Sequence, residues 1–487
     1  MSTVPAVVIA APASGSGKTT VSTGLIGALR TAGHRVAPFK VGPDYIDPGY
    51  HAVAAGMVGR NLDPNLVGTD LVAPLFAAGT AGADIAVVEG VMGIFDGRIL
   101  PDDADGAPSG FGSTAHVAQL IGAPVVLVVD AAGHSQSLAA LLQGFVGYDP
   151  SIHVAGVVLN RVGSDRHETV LRQACARAGL PVFGVLRRDP HLQVPSRHLG
   201  LIPAAERRDD AVRAVAAMAT TVGAALDLPA IVAAARSRGQ GPVDAWSAAD
   251  AVATEGSGSG DSGSGGSGAR RPIVAVAGGA AFTFGYAEHS ELLTAAGADV
   301  VGFDPLNDPL PPGTDAVVVG GGFPEEHAEV LSANEPLRTG LAAHARAGRP
   351  ILAECAGLLY LATELDGHPM AGVLDVVGRF GPTLTLGYRD GVAVADSVAF
   401  VAGERVTGHE FHRSTVEAGG EITPAWAWRD HQGAAGTHGF VQASVHASYL
   451  HVHPAGHPAA VSRFVSAARR AAEATGSGRD EAAERTG

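Results

Sequence analysis

The residues that could do chemistry begin near the N-terminus. Ala11-Pro12-Ala13-Ser14-Gly15-Ser16-Gly17-Lys18-Thr19-Thr20 follows an apolar run and leads into a helical one. Small residues in that position let successive backbone N–H groups turn toward phosphate oxygens. A lysine then neutralises the β and γ phosphates, and a hydroxyl ligates Mg²⁺. Ser14, Gly15, Gly17, Lys18, Thr19 and Thr20 are therefore the expected ATP contacts. Pro12 replaces the usual leading glycine, but Gly-Lys-Thr-Thr between a strand and a helix preserves the reading.

Acids follow at strand ends. Val87-Val88-Glu89-Gly90 closes an apolar run with a carboxylate, where a phosphate-loop enzyme keeps its second magnesium-related acid. Phe39-Lys40-Val41-Gly42-Pro43-Asp44-Tyr45-Ile46-Asp47-Pro48 packs a lysine, an aromatic and two acids into one loop. Asp44 and Asp47 are suited to holding Mg²⁺ or positioning a substrate. Asp96 is a further loop acid, and Asn160 ends a later strand where it could read the adenine edge or cap a turn. Only Lys18 and Lys40 are lysines in a chain of 33 basic Lys and Arg residues, and both fall in these motifs.

A second chemistry lies downstream. Ile351-Leu352-Ala353-Glu354-Cys355-Ala356-Gly357-Leu358-Leu359 reads as a buried strand, a sharp turn and a helix. Such an elbow exposes a thiol and aims a helix N-terminus at it. Alone, Cys355 reads as a core thiol. Two other segments change that. Gly320-Gly321-Gly322 offers bare N–H groups for an oxyanion hole, with Gly321, Gly322 and Ala356 the expected donors. Ala447-Ser448-Tyr449-Leu450-His451-Val452-His453 offers a base in His451 or His453. His409 and His412 are rivals for that role.

These side chains need two scaffolds. Val4–Ala10, Arg35–Lys40, Ile85–Glu89, Val125–Val129 and Val154–Leu159 are apolar runs without polar alternation. Helical stretches such as Thr19–Ala32, Ala115–Ile121 and Glu168–Ala178 separate them. That pattern specifies a parallel sheet covered on both faces. It restarts with Ile273–Ala277, Asp299–Phe303, Ala316–Val319 and Ile351–Ala353, and the part after Gly372 is richer in strands and loops. Residues 256–269 read GSGSGDSGSGGSGA, a flexible spacer. The expected organisation is α/β with two domains. An ATP-binding domain fills 1–250, a linker 251–270, a second catalytic domain 271–470 and a flexible tail 471–487.

Composition sets outer limits. Of 487 residues 46% are hydrophobic and 17% charged, a foldable balance. A formal charge of −15 argues against nucleic acid as a partner. Two distant cysteines, Cys175 and Cys355, make no disulfide framework and fit a reducing compartment. No signal peptide and no membrane-length apolar run is visible, so the expectation is a cytoplasmic protein with no membrane partner.

Together the motifs A-P-x-S-G-S-G-K-T-T, F-K-V-G-P-D-Y-I-D-P, V-V-E-G-V-M-G-x-F-D-G, L-N-R-V-G-S-D-R-H, S-R-H-L-G-L-I-P, G-G-G-F-P-E, E-C-A-G-L-L-Y-L, G-H-E-F-H-R-S and S-Y-L-H-V-H closely resemble the cobyrinic acid and hydrogenobyrinic acid a,c-diamide synthase family. The resemblance covers nearly the whole chain. It implies a dethiobiotin-synthetase-like, P-loop ATP domain followed by a class I glutamine amidotransferase-like, flavodoxin-like domain. The implied activity is amidation of the a and c acetates of a corrin ring, driven by ATP and Mg²⁺ with glutamine as donor. Cys355 is then the nucleophile and His451 the base. Thr19, Asp44, Asp47 and Glu89 serve Mg²⁺, Lys40 and Asp96 the reacting carboxylate, and Tyr45 the macrocycle. Many class I glutaminases carry His-x-Glu; here His451-Val452-His453 lacks the acid, leaving a Cys–His dyad. The alternatives are an amidotransferase acting on nickel sirohydrochlorin and a regulatory ATPase of the MinD or ParA kind. The latter predicts no glutaminase. Partners are glutamine and a corrinoid, and a homodimer is the default assembly.

Overall fold

The computed structural model describes residues 4–99, 110–188, 196–197, 200–201, 203–206, 208–237, 239, 241–256, 270–430 and 433–484. The chain divides into two compact units, Met1–Trp246 and Ser247–Gly487. Most of the Gly/Ser run, and His198, Leu199 and Ile202 of the Ser196–Pro203 motif, lie outside the described residues.

In the first unit β1 (Ala6–Ala10), β2 (Val36–Val41), β3 (Arg60–Leu62), β4 (Ile85–Glu89), β5 (Val125–Asp130), β6 (Val154–Val162) and β7 (Val182–Arg187) form one sheet. Its order is β3-β2-β4-β1-β5-β6-β7, and the pairings are parallel. Every residue of β1, β2 and β4 is buried. That follows from Val/Ile/Ala-rich runs with helices on both faces, each buried aliphatic side chain contributing about 1.5–3 kcal/mol. The expected α/β architecture is present, with boundaries shifted by a few residues at most. A short pair, β8 (Ser196–Arg197) and β9 (Gly200–Leu201), lies apart.

The order in which strands are added reverses around β1, with β4 on one side and β5 on the other. In such sheets ligands sit beyond the carboxyl ends of the strands at that reversal. Register does the rest. Lys40 of β2 pairs with Glu89 of β4, Ile9 of β1 pairs with Glu89, and Asp130 pairs with Asn160. The motif residues therefore collect at one edge.

The second unit holds β10 (Ile273–Ala277), β11 (Asp299–Phe303), β12 (Ala316–Val319), β13 (Ile351–Glu354), the pair β14 (Glu364–Leu365) and β15 (His368–Pro369), β16 (Val376–Ala393), β17 (Arg405–Ala418), β18 (Trp426–Arg429), β19 (Ala435–His438), β20 (Phe440–Gln442) and β21 (Val445–Ser448). One sheet has the order β11-β10-β12-β13-β21-β20. It is parallel except for the β20 edge. The other is built on the long antiparallel β16–β17 hairpin, which carries an irregularity between Phe380 and Thr385. This is the strand-rich part expected after Gly372. A core of Val317, Val319, Ile351, Ala353, Leu358 and Tyr360 packs under β12 and β13. The final helix runs Pro458–Glu484. No helix among the described residues is long and apolar enough to cross a membrane.

Candidate active sites

The phosphate loop is shaped by its glycines. Gly15 (φ 78°) and Gly17 (φ 92°) both sit in the left-handed region, which side-chain-bearing residues avoid. Gly17 caps the helix Lys18–Thr31. A Cβ there would come 2.3 Å from the Asn160 amide nitrogen. That amide donates to the Ser16 carbonyl (2.9 Å), and its oxygen accepts from the Arg161 N–H (2.9 Å). Both ends of the Asn160 amide are thus engaged with backbone, and the residue braces the loop. Ser14 and Gly15 are exposed at the tip, and Thr20 lies in the first helical turn.

Lys18 is buried, and its ammonium donates to the carbonyls of Met92 (2.5 Å) and Ala13 (3.5 Å). Burial and the nearby Lys40 charge lower its pKa, while Glu89, Asp47 and Asp96 oppose them. Lys40 is buried among acids, 2.6 Å from Asp47 Oδ2, 2.9 Å from Glu89 Oε1 and 3.7 Å from Asp44 Oδ2. Burial alone would lower it, but these carboxylates outweigh burial and hold the ammonium well above the ordinary lysine range. Burial, helped by Asp44, pushes Asp47 up to about 7 against the pull of Lys40. Burial acts the same way on Glu89, yet Lys40, His51 and Thr19 win there and hold it below the usual carboxylate range.

Asp44 turns one oxygen onto the N–H groups of Ile46 and Asp47 (2.9 Å each), fixing the turn that contains the buried Tyr45. Asp96 is exposed and anchored by the Gly93 N–H (2.8 Å). One buried partner escaped the sequence reading. His51 lies four residues beyond Asp47 on the helix Asp47–Ala55, and its Nε2 is 2.7 Å from Glu89 Oε2. The helical i,i+4 spacing was the available signal.

Thr19 Oγ1 donates to Glu89 Oε1 (2.7 Å) and lies 3.2 Å from Asp47 Oδ2. A hydroxyl and two carboxylates are hard oxygen donors and fit Mg²⁺, which uses one or two carboxylates beside phosphate and water. Among the described residues no group of three or more His, Cys, Asp or Glu forms a metal cage, and magnesium at a phosphate site does not need one.

In the second unit Cys355 sits between β13 and the helix Ala356–Leu361 with φ 49° and ψ −104°. That is a strained backbone for a non-glycine residue, and such strain gathers at functional turns. Its N–H donates to the Ser448 carbonyl (2.7 Å) and the Gly357 N–H to the Gly320 carbonyl (3.0 Å). These bonds tie the elbow to β21 and to the glycine loop after β12. A Cβ at Gly357 would lie 2.2 Å from the Val319 carbonyl oxygen, so the turn tolerates nothing larger.

The thiol faces the Phe411 carbonyl (3.7 Å). Burial and then Glu325 push its pKa up, while hydrogen bonds from the Ala356 and Gly322 backbones pull it down without prevailing. The resting thiol is neutral. The Gly321 N–H, expected among the oxyanion donors, donates instead to the Phe284 carbonyl (3.2 Å), leaving Gly322 and Ala356 as the amides that face sulfur. Gly321 serves in another way: a Cβ there would meet His451 Cε1 at 2.4 Å. Gly321→Ala is expected to lower glutamine-dependent turnover roughly tenfold to 100-fold by displacing that ring. Ammonia-dependent turnover is expected to hold, and steady-state rates with the two donors check both.

His451 is buried, and burial, then His409 and His412, lowers its pKa to about 3. It is a neutral base at neutral pH. Its backbone is fixed by paired bonds with His409 (2.9 Å each way). Two of the rival histidines pack on tyrosines. His412 stacks on Tyr449 (3.7 Å between centroids), with its Nδ1 2.8 Å from the Ser414 carbonyl. His453 packs on Tyr286 (4.1 Å) and accepts the Ala455 N–H (3.3 Å). Glu354, just before the cysteine, lies with Oε2 3.9 Å from His451 Nδ1.

Residues 273–459 match the CobB/CobQ-like glutamine amidotransferase domain. Residues 7–202 match the CobQ/CobB/MinD/ParA nucleotide binding domain. The chain is 58% identical over 464 residues to a hydrogenobyrinate a,c-diamide synthase of Mycobacterium tuberculosis, covering 95% of this chain and 98% of that one. A protein of the same name from Streptomyces coelicolor is 54% identical, with coverages of 96% and 98%. A cobyrinate a,c-diamide synthase of Syntrophotalea carbinolica is 41% identical, with coverages of 96% and 99%.

Proposed function

The chain belongs to the a,c-diamide synthase family, and from that premise we propose that it converts hydrogenobyrinate to its a,c-diamide with ATP and glutamine. The enzyme class, a glutamine amidotransferase joined to a nucleotide-binding domain, follows from family membership. Hydrogenobyrinate is preferred over cobyrinate because relatives bearing its name are 49–58% identical, against 37–41% for those named for cobyrinate. The observation that carries the reaction is a strained, neutral Cys355 under the N–H groups of Ala356 and Gly322, in one chain with the Lys18 phosphate loop.

In the first unit the γ-phosphoryl group of ATP passes to a substrate carboxylate oxygen, giving an acyl phosphate and ADP. Lys18 stabilises charge on the moving group, and the loop amides hold the other phosphates. Thr19, Asp47 and Glu89 are the proposed holders of Mg²⁺, with Asp44 behind them. Bound magnesium neutralises phosphate charge. Lys40 fixes Asp47 and Glu89, Asp96 and Tyr45 face the substrate, and Asn160 braces the nucleotide loop.

In the second unit the thiol proton moves to His451, and sulfur attacks the glutamine amide carbon. Gly322 and Ala356 hold the oxyanion. The proton on His451 goes to the leaving nitrogen, ammonia departs, and water cleaves the thioester to glutamate. Ammonia then displaces phosphate from the acyl phosphate. Two rounds give the diamide. The proposal places the reaction in the cytoplasm, where ATP is supplied and the thiol stays reduced, and takes a homodimer as the assembly.

Mass spectrometry of products from hydrogenobyrinate and cobyrinate, each with ATP, Mg²⁺ and glutamine, tests the substrate. Faster diamide formation from cobyrinate would overturn the preference. Asp47→Asn is expected to cut amidation with either nitrogen donor by roughly 10²-fold. Glutamine hydrolysis assayed separately should change far less, and an equal loss in both assays contradicts the role given to Asp47.

A further inference from the structure

We propose that Glu354 is the positioning carboxylate of the glutaminase, doing for His451 what an acid two places after the histidine does in many class I enzymes. The proposal rests on reading Cys355 and His451 as nucleophile and base. Position 453 is a histidine and cannot supply the acid. Its ring is committed elsewhere, against Tyr286 at 4.1 Å, on the Ala455 N–H and with Nε2 3.9 Å from Glu288 Oε2.

The replacement comes from another strand. Glu354 is the last residue of β13, and the parallel register sets it beside Ser448 at the end of β21. From there its carboxylate reaches both sides of the base. Oε1 accepts the Val452 N–H (3.3 Å), and Oε2 faces His451 Nδ1 at 3.9 Å. The paired main-chain bonds between His451 and His409 fix the backbone, leaving ring rotation as the freedom to be controlled. A distance of 3.9 Å is longer than a hydrogen bond. Catalytic contacts of this kind are often long before substrate binds and shorten in the reacting complex.

The electrostatics ask for such a partner. Burial, then His409 and His412, disfavour a cation on His451, and the Glu410 carboxylate is taken by Arg389 at 2.7 Å. When the Sγ proton moves to His451 Nε2, the ring becomes an imidazolium. The Nδ1–H then donates to Glu354, a carboxyl that burial pushes up to about 8 and that the new cation 3.9 Å away holds ionised. The same proton leaves on ammonia, and the neutral ring returns. Glu354 thereby selects the tautomer whose Nε2 is free to accept, the role of the buried acid in hydrolytic triads.

Glu354→Gln tests this, because the amide keeps the shape and can still accept the Val452 N–H. The expected result is a fall in kcat for glutamine of roughly 10²- to 10⁴-fold, with KM for glutamine within about twofold and ammonia-dependent amidation unchanged. Glu354→Asp should recover part of kcat. An unchanged kcat, a loss confined to KM, or an equal loss with both donors would overturn the proposal. Cys355→Ser is run beside it. If that variant still uses glutamine, the reading of the whole site fails. If it does not, while Glu354→Gln turns over normally, only the role of Glu354 fails.

Discussion

Cys355→Ser is expected to lower glutamine-dependent amidation by at least about 10³-fold while free ammonia still supports the reaction. The hydroxyl fits the space of the thiol, so the elbow should keep its φ of 49° and its bonds to Ser448 and Gly320. What is lost is nucleophilicity. The thiol is held neutral by burial and Glu325, so its reaction depends on proton transfer to His451, which is itself neutral near pH 7. Serine is a much weaker nucleophile under the same base. Added ammonia enters after this step, and the synthetase half carries on. Equal loss with both donors would place Cys355 in the fold rather than in the chemistry.

Lys18→Ala is expected to have the complementary effect. Amidation should fall by roughly 10²- to 10³-fold with either donor, while glutamine hydrolysis measured by glutamate release persists. The buried Lys18 ammonium is held on the carbonyls of Met92 and Ala13, neutral acceptors that a phosphate oxygen outcompetes. Lys18 feels one lysine and three acids, but its ammonium bonds to main-chain carbonyls and to none of them. Removing it therefore leaves the Lys40 cluster paired with Asp47 and Glu89. Persistence of amidation from ammonia in this variant would remove ATP activation from the first unit.

Much of this was legible in the sequence because local rules carry it. Phosphate loops and elbows are continuous segments, and unalternating apolar runs announce a parallel sheet. Lys18 and Thr19 open the helix after β1, Glu89 ends β4 and Cys355 follows β13, all positions that the pattern itself marks. Function within the collected groups was less legible, since it depends on pairs distant along the chain. His51 meets Glu89 across 38 residues, and Glu354 meets the His451 segment across 98. Glu354 lies just past the expected strand Ile351–Ala353, where nothing local hints at a partner. In the Gly320–Gly322 run, Gly321 and Gly322 were both expected as donors. Strand-like pairing with Phe284 removes the Gly321 amide and turns the missing Cβ into space for His451. For Asn160, only the packed loop revealed the Ser16 carbonyl as its partner.

The central claim is that one chain makes ammonia at Cys355 and spends it on carboxylates activated at the phosphate loop. Glutamine labelled with ¹⁵N at its side-chain amide tests it most directly. With hydrogenobyrinate, ATP and Mg²⁺, mass spectrometry should find the label in both new amides of the diamide, with one ATP and one glutamine consumed for each amide formed. Unlabelled diamide, or labelled diamide formed without ATP consumption, would contradict the account.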